Sequence, residues 1–446
     1  MIVQNINIFS KKNLIGLLIA LIPVSYMLGN LAINLNSVLL IVAVFSFYKS
    51  DVLKIKYNFI DKVIFLFFAY ILLNGIFNNF FNYNFPEAPE QNLIIKKSFL
   101  YLKYLFFYLS LRYLVSNRLI NFKYLFFCFG FCALFVSIDI IIQYFRGVDL
   151  FGLEADGRRM GGPFGDELIA GSFLQRFFIF LIFFFLLFFR FKNKISLNVT
   201  MSLMILLISF GIFFAGNRMP QVLFIMMICF LFIFQKDFRK IFSILFIIFT
   251  ISFIYLYSKN PNYKPHYGEF LTNTSQIVDY FYSRIKGEEI VAKSRYTKEF
   301  ENGFLTWKKN KIFGGGIRGF YWHCSTVKVF YTIQDSSKRS YGGESCNTHP
   351  HNYYIESLSE TGIVGFILII YLFGLIIIKS INFFMKNTDY FTKSIFLPFL
   401  LIFLMEVFPF KTTGSLYTTT NSTFLFFIIA FIISFFDLKK VKLNER

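Results

Sequence analysis

Long uninterrupted apolar segments recur along almost the whole chain, and they constrain its fold more than any other feature. Runs of roughly 17–25 residues are each long enough to cross ~30 Å of hydrocarbon as an α-helix. A β-barrel would show short segments of alternating apolar and polar residues, unlike the continuous run FFIFLIFFFLLFF at 177–189. The chain is therefore predicted to be an all-α polytopic membrane protein.

The composition and the placement of charge agree with this prediction. Of the 446 residues 56% are hydrophobic and only 16% are charged, and the mean hydropathy is +0.59, which excludes a water-soluble enzyme. The formal net charge of +20 is large enough for a nucleic-acid partner. However, the basic residues lie mostly in short connectors between apolar runs, where they control topology. We expect a lipid bilayer and no nucleic acid as partner.

The apolar runs and their breaks predict about twelve transmembrane helices. They are placed at 14–29, 33–48, 62–80, 98–115, 121–145, 167–189, 197–215, 219–235, 240–257, 352–378, 394–408 and 421–437. If the N-terminus is cytoplasmic, every cytoplasmic connector is basic, as the positive-inside rule requires. An even number of helices then also places the C-terminus in the cytoplasm.

One polar segment, residues 258–351, interrupts this pattern between the ninth and tenth predicted helices. It divides the chain into helices 1–9 (1–257), a large loop outside the cytoplasm, and helices 10–12 with a tail (352–446). The loop holds all four His residues, both Trp residues and two of the five Cys residues. Loops of this length are usually functional. Short helices are expected near 274–285 and 295–309.

The densest group of chemically versatile residues lies at the end of this loop. His349 and His351 flank Pro350, and Asn352 is a good N-cap for the helix that follows. A neutral imidazole at the start of a membrane helix is suited to act as general base for a hydroxyl group. The alternative is that both are ordinary loop side chains.

Cys324 and Cys346 enclose part of the same loop, and a disulfide bond is the simplest interpretation. The rival is a metal site built from these cysteines and the nearby His residues, but their spacing fits no compact ligand motif. Gly314-Gly315-Gly316 has no Lys-Ser/Thr after it and no strand before it, so a turn is expected rather than a phosphate-binding loop. Nothing in the sequence indicates ATP, NAD or haem.

Four stretches together resemble the O-antigen ligase family, a ligase/polymerase superfamily that acts on lipid-linked glycans. The fairly specific one is His351-Asn352, nine residues, Gly362, two residues and Gly365. The weaker ones are FAGNRMP at 214–220, Ser294-Arg295 followed by Trp307 and the three glycines, and RRMGGPFGD at 158–166. The resemblance implies that His351 activates an acceptor sugar hydroxyl while Arg218 and Arg295 bind a diphosphate. Arg158, Arg159, Arg176, His349 and Asn352 are further candidates for substrate binding.

The arginines fit this role physically, because guanidinium groups bind phosphate oxygens bidentately. Arg218 begins a helix whose dipole disfavours a cation, so an anion should compensate it; the alternative is that it extends to lipid headgroups. Arg295 is equally compatible with a solvated ion pair to Glu299. Arg176 lies about 15 Å into its span, where pairing with Glu406 or Asp139 competes with substrate contact.

The resemblance therefore implies a glycosyltransferase of the bacterial inner membrane with a periplasmic active site. Its donor would be a glycan on undecaprenyl diphosphate and its acceptor a sugar hydroxyl of the lipid A core. No metal, nucleotide or other cofactor is expected, because the diphosphate already activates the donor. An O-antigen polymerase, with a glycan acceptor, is the nearest alternative. A lipid or polysaccharide transporter is the alternative from another class.

Overall fold

The computed structural model describes residues 10–81, 92–155, 159–235, 263–288, 292–324 and 346–438, with isolated residues between 239 and 258 and at 327. In this part of the chain we number sixteen α-helices. They are α1 Lys11–Ala20, α2 Ile22–Met27, α3 Asn30–Tyr48, α4 Phe59–Phe81, α5 Leu93–Tyr101, α6 Lys103–Ser116, α7 Phe122–Arg146, α8 Ala170–Leu187, α9 Lys194–Phe214, α10 Arg218–Phe234, α11 Tyr263–Lys286, α12 Arg295–Lys309, α13 Gly319–Cys324, α14 Tyr353–Lys386, α15 Tyr390–Glu406 and α16 Thr419–Asp437.

The predicted all-helical class is confirmed. The described residues form no β-strand, and Val148 and Glu154 make an isolated bridge. Within the described ranges, seven helices are long and apolar enough to cross a membrane: Asn30–Leu53, Phe59–Phe81, Phe122–Arg146, Ala170–Leu187, Lys194–Phe214, Tyr353–Lys386 and Thr419–Asp437. Helix α10 is apolar but shorter.

Two predicted spans are each built from two helices. The span at 14–29 changes at Leu21 from α1 to α2, where Pro23 occupies the first turn of α2 and lacks an N–H for the ladder. The span at 98–115 is interrupted at Leu102. The predicted span at 240–257 lies mostly outside the described residues, so the count of twelve and the position of the large loop stay predictions.

The core of the bundle is formed by helices that are buried almost all round. About four fifths of the residues of α8 and α16 are buried inside the protein, compared with 28% for the span that contains α3. Phenylalanine rings fill the space between these helices, for example Phe399 against Phe431 with centroids 4.7 Å apart and Phe129 against Phe180 at 5.1 Å. Such ring pairs add stabilisation to the burial of their area.

The polar segment 258–351 folds onto one end of this bundle. The expected helix at 295–309 is confirmed as α12, and its N-terminus is fixed by a capping box between Ser294 and Thr297. The other expected helix is longer than 274–285, since α11 begins at Tyr263. Cys324, the last residue of α13, is joined to Cys346 by a disulfide bond, which closes the segment just before His349 and His351.

Helix α14 is broken at Gly362, and the polar segment fills the break. Gly362 has a left-handed φ of 65°. On its two sides the carbonyls of Ser359 and Glu360 accept from the N–H groups of Gly315 and Gly316 (3.0 and 2.7 Å), and Ile363 N–H donates to the Lys311 carbonyl at 2.9 Å. Gly314–Gly316 therefore form a backbone contact with α14, which we call the glycine dock: the N–H groups of Gly315 and Gly316 donate to α14, whereas Gly314 N–H donates to the Asn310 carbonyl at 2.9 Å. All three amides thus already have a backbone acceptor.

Replacing Gly362 should therefore break this dock. A Cβ at Gly362 would lie 2.2 Å from the Ile312 carbonyl oxygen, on backbone that cannot move aside alone. We expect Gly362→Ala to cost about 2 kcal/mol or more of unfolding free energy, combining left-handed strain with overlap. Gly374→Ala in the same helix is the matched control, because its Cβ meets nothing within 4 Å. Equal thermal unfolding midpoints for the two variants would contradict the prediction.

Candidate functional site

His351 stands immediately before α14, on backbone that is held from both sides. Its φ of 55° is in the left-handed region, which is unusual for a residue other than glycine. Asn352 accepts from the N–H groups of Tyr354 and Ile355 and donates to the carbonyls of Pro409 (2.8 Å) and Lys411 (3.1 Å). The N-cap predicted from the sequence is confirmed, and it also ties the start of α14 to the connector between α15 and α16.

The two imidazoles of this turn are neighbours in a poorly solvated environment. The ring centroids of His349 and His351 are 4.3 Å apart. Burial lowers the pKa of both side chains from 6.5 to about 4. These values include a smaller contribution from neighbouring positive charge, which comes from Arg295 for His351 and from His351 and Arg318 for His349. Both rings are therefore neutral at pH 7.

The amide side chain of Asn347 lies between the buried carboxylate of Glu299 and the imidazole of His351. Asn347 Nδ2 donates to Glu299 Oε1 at 2.5 Å and lies 3.5 Å from His351 Nε2. Burial raises the pKa of Glu299 to about 7, against the opposing effect of Arg295 and Lys298. Sequence reasoning found Glu299 only as a partner for Arg295 and missed Asn347, because Glu299 and Asn347 are far apart in the chain.

Arg295 is the first residue of α12 and lies at this site. Its side chain is exposed, and it is close enough for its charge to lower the pKa values of both His351 and Glu299. The structure thus brings together Arg295, Glu299, Asn347, His349 and His351. We call this group of residues the histidine site.

Arg218 is the first residue of α10, and it forms an ion pair with a carboxylate, as expected for a cation at the start of a helix. Its NH2 group lies 2.8 Å from Glu269 Oε2 on α11, and the guanidinium is largely buried whereas Glu269 is exposed. The preceding Asn217 fixes this turn, since its side chain accepts from Gly171 N–H and donates to the Leu168 carbonyl. No sequence pattern pointed to Glu269.

Helix α11 connects Arg218 with the histidine site. Glu269 contacts Arg218, and about 16 Å further along the helix axis Tyr280 donates to Glu301 of α12 at 2.9 Å. Arg284 also pairs with Glu301. Both predicted diphosphate ligands therefore begin helices that contact α11, and Arg295 is the one whose charge acts on His351.

Arg176 lies in a buried ion cluster. Its Nε and NH2 groups lie 3.1 and 2.6 Å from the two carboxylate oxygens of Glu406, and NH2 also donates to Asn421. Lys411 Nζ is 2.8 Å from Glu406, and the hydroxyl of Tyr353 donates to Glu406 at 2.5 Å. Arg176 is therefore paired with Glu406, one of the two acidic partners considered in the sequence analysis. The other, Asp139, accepts a hydrogen bond from Leu150 N–H.

The remaining predicted residues lie in the loop before α8. Arg158 is outside the described residues. Arg159 is half-buried, and the next residue, Met160, donates its N–H to the Phe214 carbonyl at 3.2 Å. This contact places Arg159 beside the turn that leads to Arg218. Within the part of the chain described, no group of three or more His, Cys, Asp or Glu residues is arranged to hold a metal ion.

One part of the chain is similar to a known protein family. A family model described as O-Antigen ligase matches residues 203–370, from α9 to the part of α14 beyond the break at Gly362. The matched segment contains Arg218, Arg295, both imidazoles of the histidine site and the glycine dock. No curated protein matches the chain.

Proposed function

The chain belongs to the O-antigen ligase family through residues 203–370, and from this premise we propose that it transfers a glycan from undecaprenyl diphosphate to a sugar hydroxyl of the lipid A core. In this proposal the chain crosses the bacterial inner membrane with both termini in the cytoplasm. The histidine site then faces the periplasm, where lipid-linked glycans and lipid A core meet.

The observation that carries the proposal is a neutral imidazole beside a guanidinium at the start of a membrane helix. In the proposed reaction His351 removes the proton from the acceptor hydroxyl, and the hydroxyl oxygen forms a bond to the anomeric carbon. The bond from that carbon to the diphosphate oxygen breaks, and the diphosphate leaves with the electron pair. A single displacement of this kind inverts the anomeric centre.

The arginines act on the leaving group. Negative charge develops on the diphosphate as its bond to the sugar breaks, and guanidinium groups stabilise that charge. We place the diphosphate between Arg295 and Arg218, where it would displace Glu269 from Arg218. A diphosphate at Arg295 would also offset the positive charge that lowers the pKa of His351, so that donor binding would strengthen the base. We further assign His349, Asn352, Arg158 and Arg159 to substrate binding, whereas Arg176, which is paired with Glu406, would act by stabilising the bundle.

The reaction is tested with purified protein in proteoliposomes that contain a lipid-linked glycan repeat. Lipid A core and a second lipid-linked repeat are offered as acceptors in parallel. The proposal expects covalent glycan on the core lipid without added metal or nucleotide. Extension of the lipid-linked repeat alone would identify a polymerase. Movement of labelled lipid across the bilayer with no covalent product would identify a transporter, and either result would overturn the proposed acceptor or reaction.

Removing either arginine should weaken use of the donor. A hydrogen bond to a charged group contributes about 1.5–3 kcal/mol, so Arg218→Ala and Arg295→Ala should each lower kcat/KM for the donor roughly tenfold to a hundredfold. Arg→Lys variants at these two positions should recover only part of the kcat/KM that the Ala variants lose, because an ammonium group cannot bind a phosphate bidentately. Lys308→Ala, at the exposed end of α12, is the control for loss of a surface cation. An unchanged kcat/KM in both arginine variants would contradict the assignment.

The carboxylate of Glu299 should appear in the pH dependence of transfer. Because the pKa of His351 is about 4, its imidazole is almost fully deprotonated well below pH 7. Deprotonation of His351 should therefore raise the rate near pH 4. Ionised Glu299 accepts more strongly from Asn347 and orients the imidazole. A second rise centred near pH 7 is therefore expected from its pKa of about 7.

Glu299→Gln tests this interpretation, since it keeps the shape and an acceptor oxygen but does not titrate. We expect the rise near pH 7 to vanish in Glu299→Gln and to persist in Glu301→Gln, whose carboxylate on the same helix faces Arg284 and Tyr280. Persistence of the rise in Glu299→Gln would show that another group causes it.

A further inference from the structure

Helix α11 packs on the protein through its polar face. Glu269 pairs with Arg218 at 2.8 Å, the Tyr280 hydroxyl donates to Glu301 at 2.9 Å, and Arg284 pairs with the same carboxylate. These three side chains recur at multiples of the helical turn and therefore share one face. The side of α11 that faces the bundle is thus held by ion pairs and hydrogen bonds, together with ring contacts of Tyr280 and Phe281 to Phe300.

The opposite face of α11 carries an apolar stripe that points outward. Leu271, Val278, Tyr282 and Ile285 follow at intervals of seven, four and three residues, and their exposed fractions are 71%, 61%, 59% and 85%. An amphipathic helix on a water-soluble protein has the reverse arrangement, with its apolar stripe toward the core. The outward stripe of α11 therefore requires an apolar environment outside the protein.

Helix α11 contacts the protein near the ends of apolar helices of the bundle. Glu269 meets the first residue of the apolar helix α10, and the ring of Phe281 is 6.4 Å from that of Phe410, an exposed residue in the connector between α15 and α16. In the chain, α11 follows the exposed apolar residues Ile254 and Tyr255 by a few positions. Helix α11 thus lies beside the ends of apolar helices of the bundle.

We propose that α11 is an interfacial helix whose stripe of Leu271, Val278, Tyr282 and Ile285 inserts into the same bilayer that the bundle spans. The inserted side chains would lie at the boundary between lipid headgroups and acyl chains, as in other helices that lie in the membrane plane. Lys286, 4.4 Å above the ring of Tyr282, gives the aromatic and basic pair that is typical of this depth. The proposal does not depend on the reaction catalysed.

The test is the accessibility of a nitroxide label at position 278 of the full-length protein in lipid nanodiscs. Cys128, Cys132 and Cys229 are replaced by Ser so that Val278→Cys is the free thiol, and labelling without reductant keeps the Cys324–Cys346 disulfide. Collision rates are measured with oxygen, which concentrates in lipid, and with a water-soluble nickel chelate. A label at Ile285→Cys gives a second, independent measurement on the stripe in case the Val278→Cys variant folds poorly.

The expected result is that labels at 278 and 285 collide preferentially with oxygen. A label at Lys308→Cys, an exposed position near the C-terminus of α12, should collide preferentially with the nickel chelate. Labels at 278 and 285 that behave like the label at 308 would show the stripe to be in water. Labels shielded from both reagents would show that protein covers the stripe. Either outcome overturns the proposal.

Discussion

His351→Ala should reduce glycan transfer from lipid diphosphate by about 10²–10⁴-fold, the range expected for loss of a general base. The chain should still fold, because the contacts that hold this turn come from Asn352 and the backbone rather than from the imidazole. The KM for the donor should change much less than kcat, since the base acts on the acceptor hydroxyl. Steady-state rates in proteoliposomes measure both quantities.

His349→Ala is the matched control for this experiment. Its ring is 4.3 Å from that of His351 and its pKa is lowered to the same value of about 4, so burial and charge are closely similar. We expect His349→Ala to lose less activity and to affect substrate binding more than the chemical step. Equal losses of kcat in the two variants would leave the base unassigned, and wild-type transfer by His351→Ala would refute the mechanism.

Glu406→Gln should be among the most destabilising single changes in the bundle. The carboxylate of Glu406 is buried and lies between two buried cations, Arg176 and Lys411. Neutralising it leaves both cations without their shared counter-charge, and breaking a buried ion pair in this way costs about 3–5 kcal/mol. The thermal unfolding midpoint in nanodiscs should fall clearly. Activity should fall with it, because Tyr353, two residues after His351, donates to the same carboxylate.

Asp51→Asn provides the comparison for an exposed ion pair. Asp51 and Lys54 are 2.9 Å apart but 63% and 69% exposed, and such pairs contribute about 0.2–1 kcal/mol. The unfolding midpoint of Asp51→Asn should therefore stay close to that of the wild type. A similarly small change in Glu406→Gln would mean that the buried cluster is solvated or dispensable.

The features that could be predicted from the sequence are those set by neighbouring residues. Apolar length and periodicity located the helices, Asn352 after Pro350 marked the start of α14, and the helix beginning at Arg295 was found at its exact position. The depth of Arg176 in an apolar span also made a buried acidic partner such as Glu406 an explicit alternative.

The features that were missed depend on contacts between distant residues. Nothing local distinguishes Gly362 as a break, because the partner that fills it comes from the polar segment at Lys311–Gly316. The link from Glu299 through Asn347 to His351 and the pair of Arg218 with Glu269 join residues about fifty positions apart. Such pairs follow from how α11 and α12 pack, which one sequence does not specify.

The most direct test of the account is a cryo-EM structure of the His351→Ala protein in nanodiscs with bound undecaprenyl-diphosphate glycan. We predict that diphosphate oxygens lie within about 3 Å of guanidinium nitrogens of both Arg218 and Arg295, with the anomeric carbon beside position 351. Glu269 should then have left Arg218. A diphosphate that contacts only one of the two arginines, or that lies on the other side of the bilayer from position 351, would contradict the account.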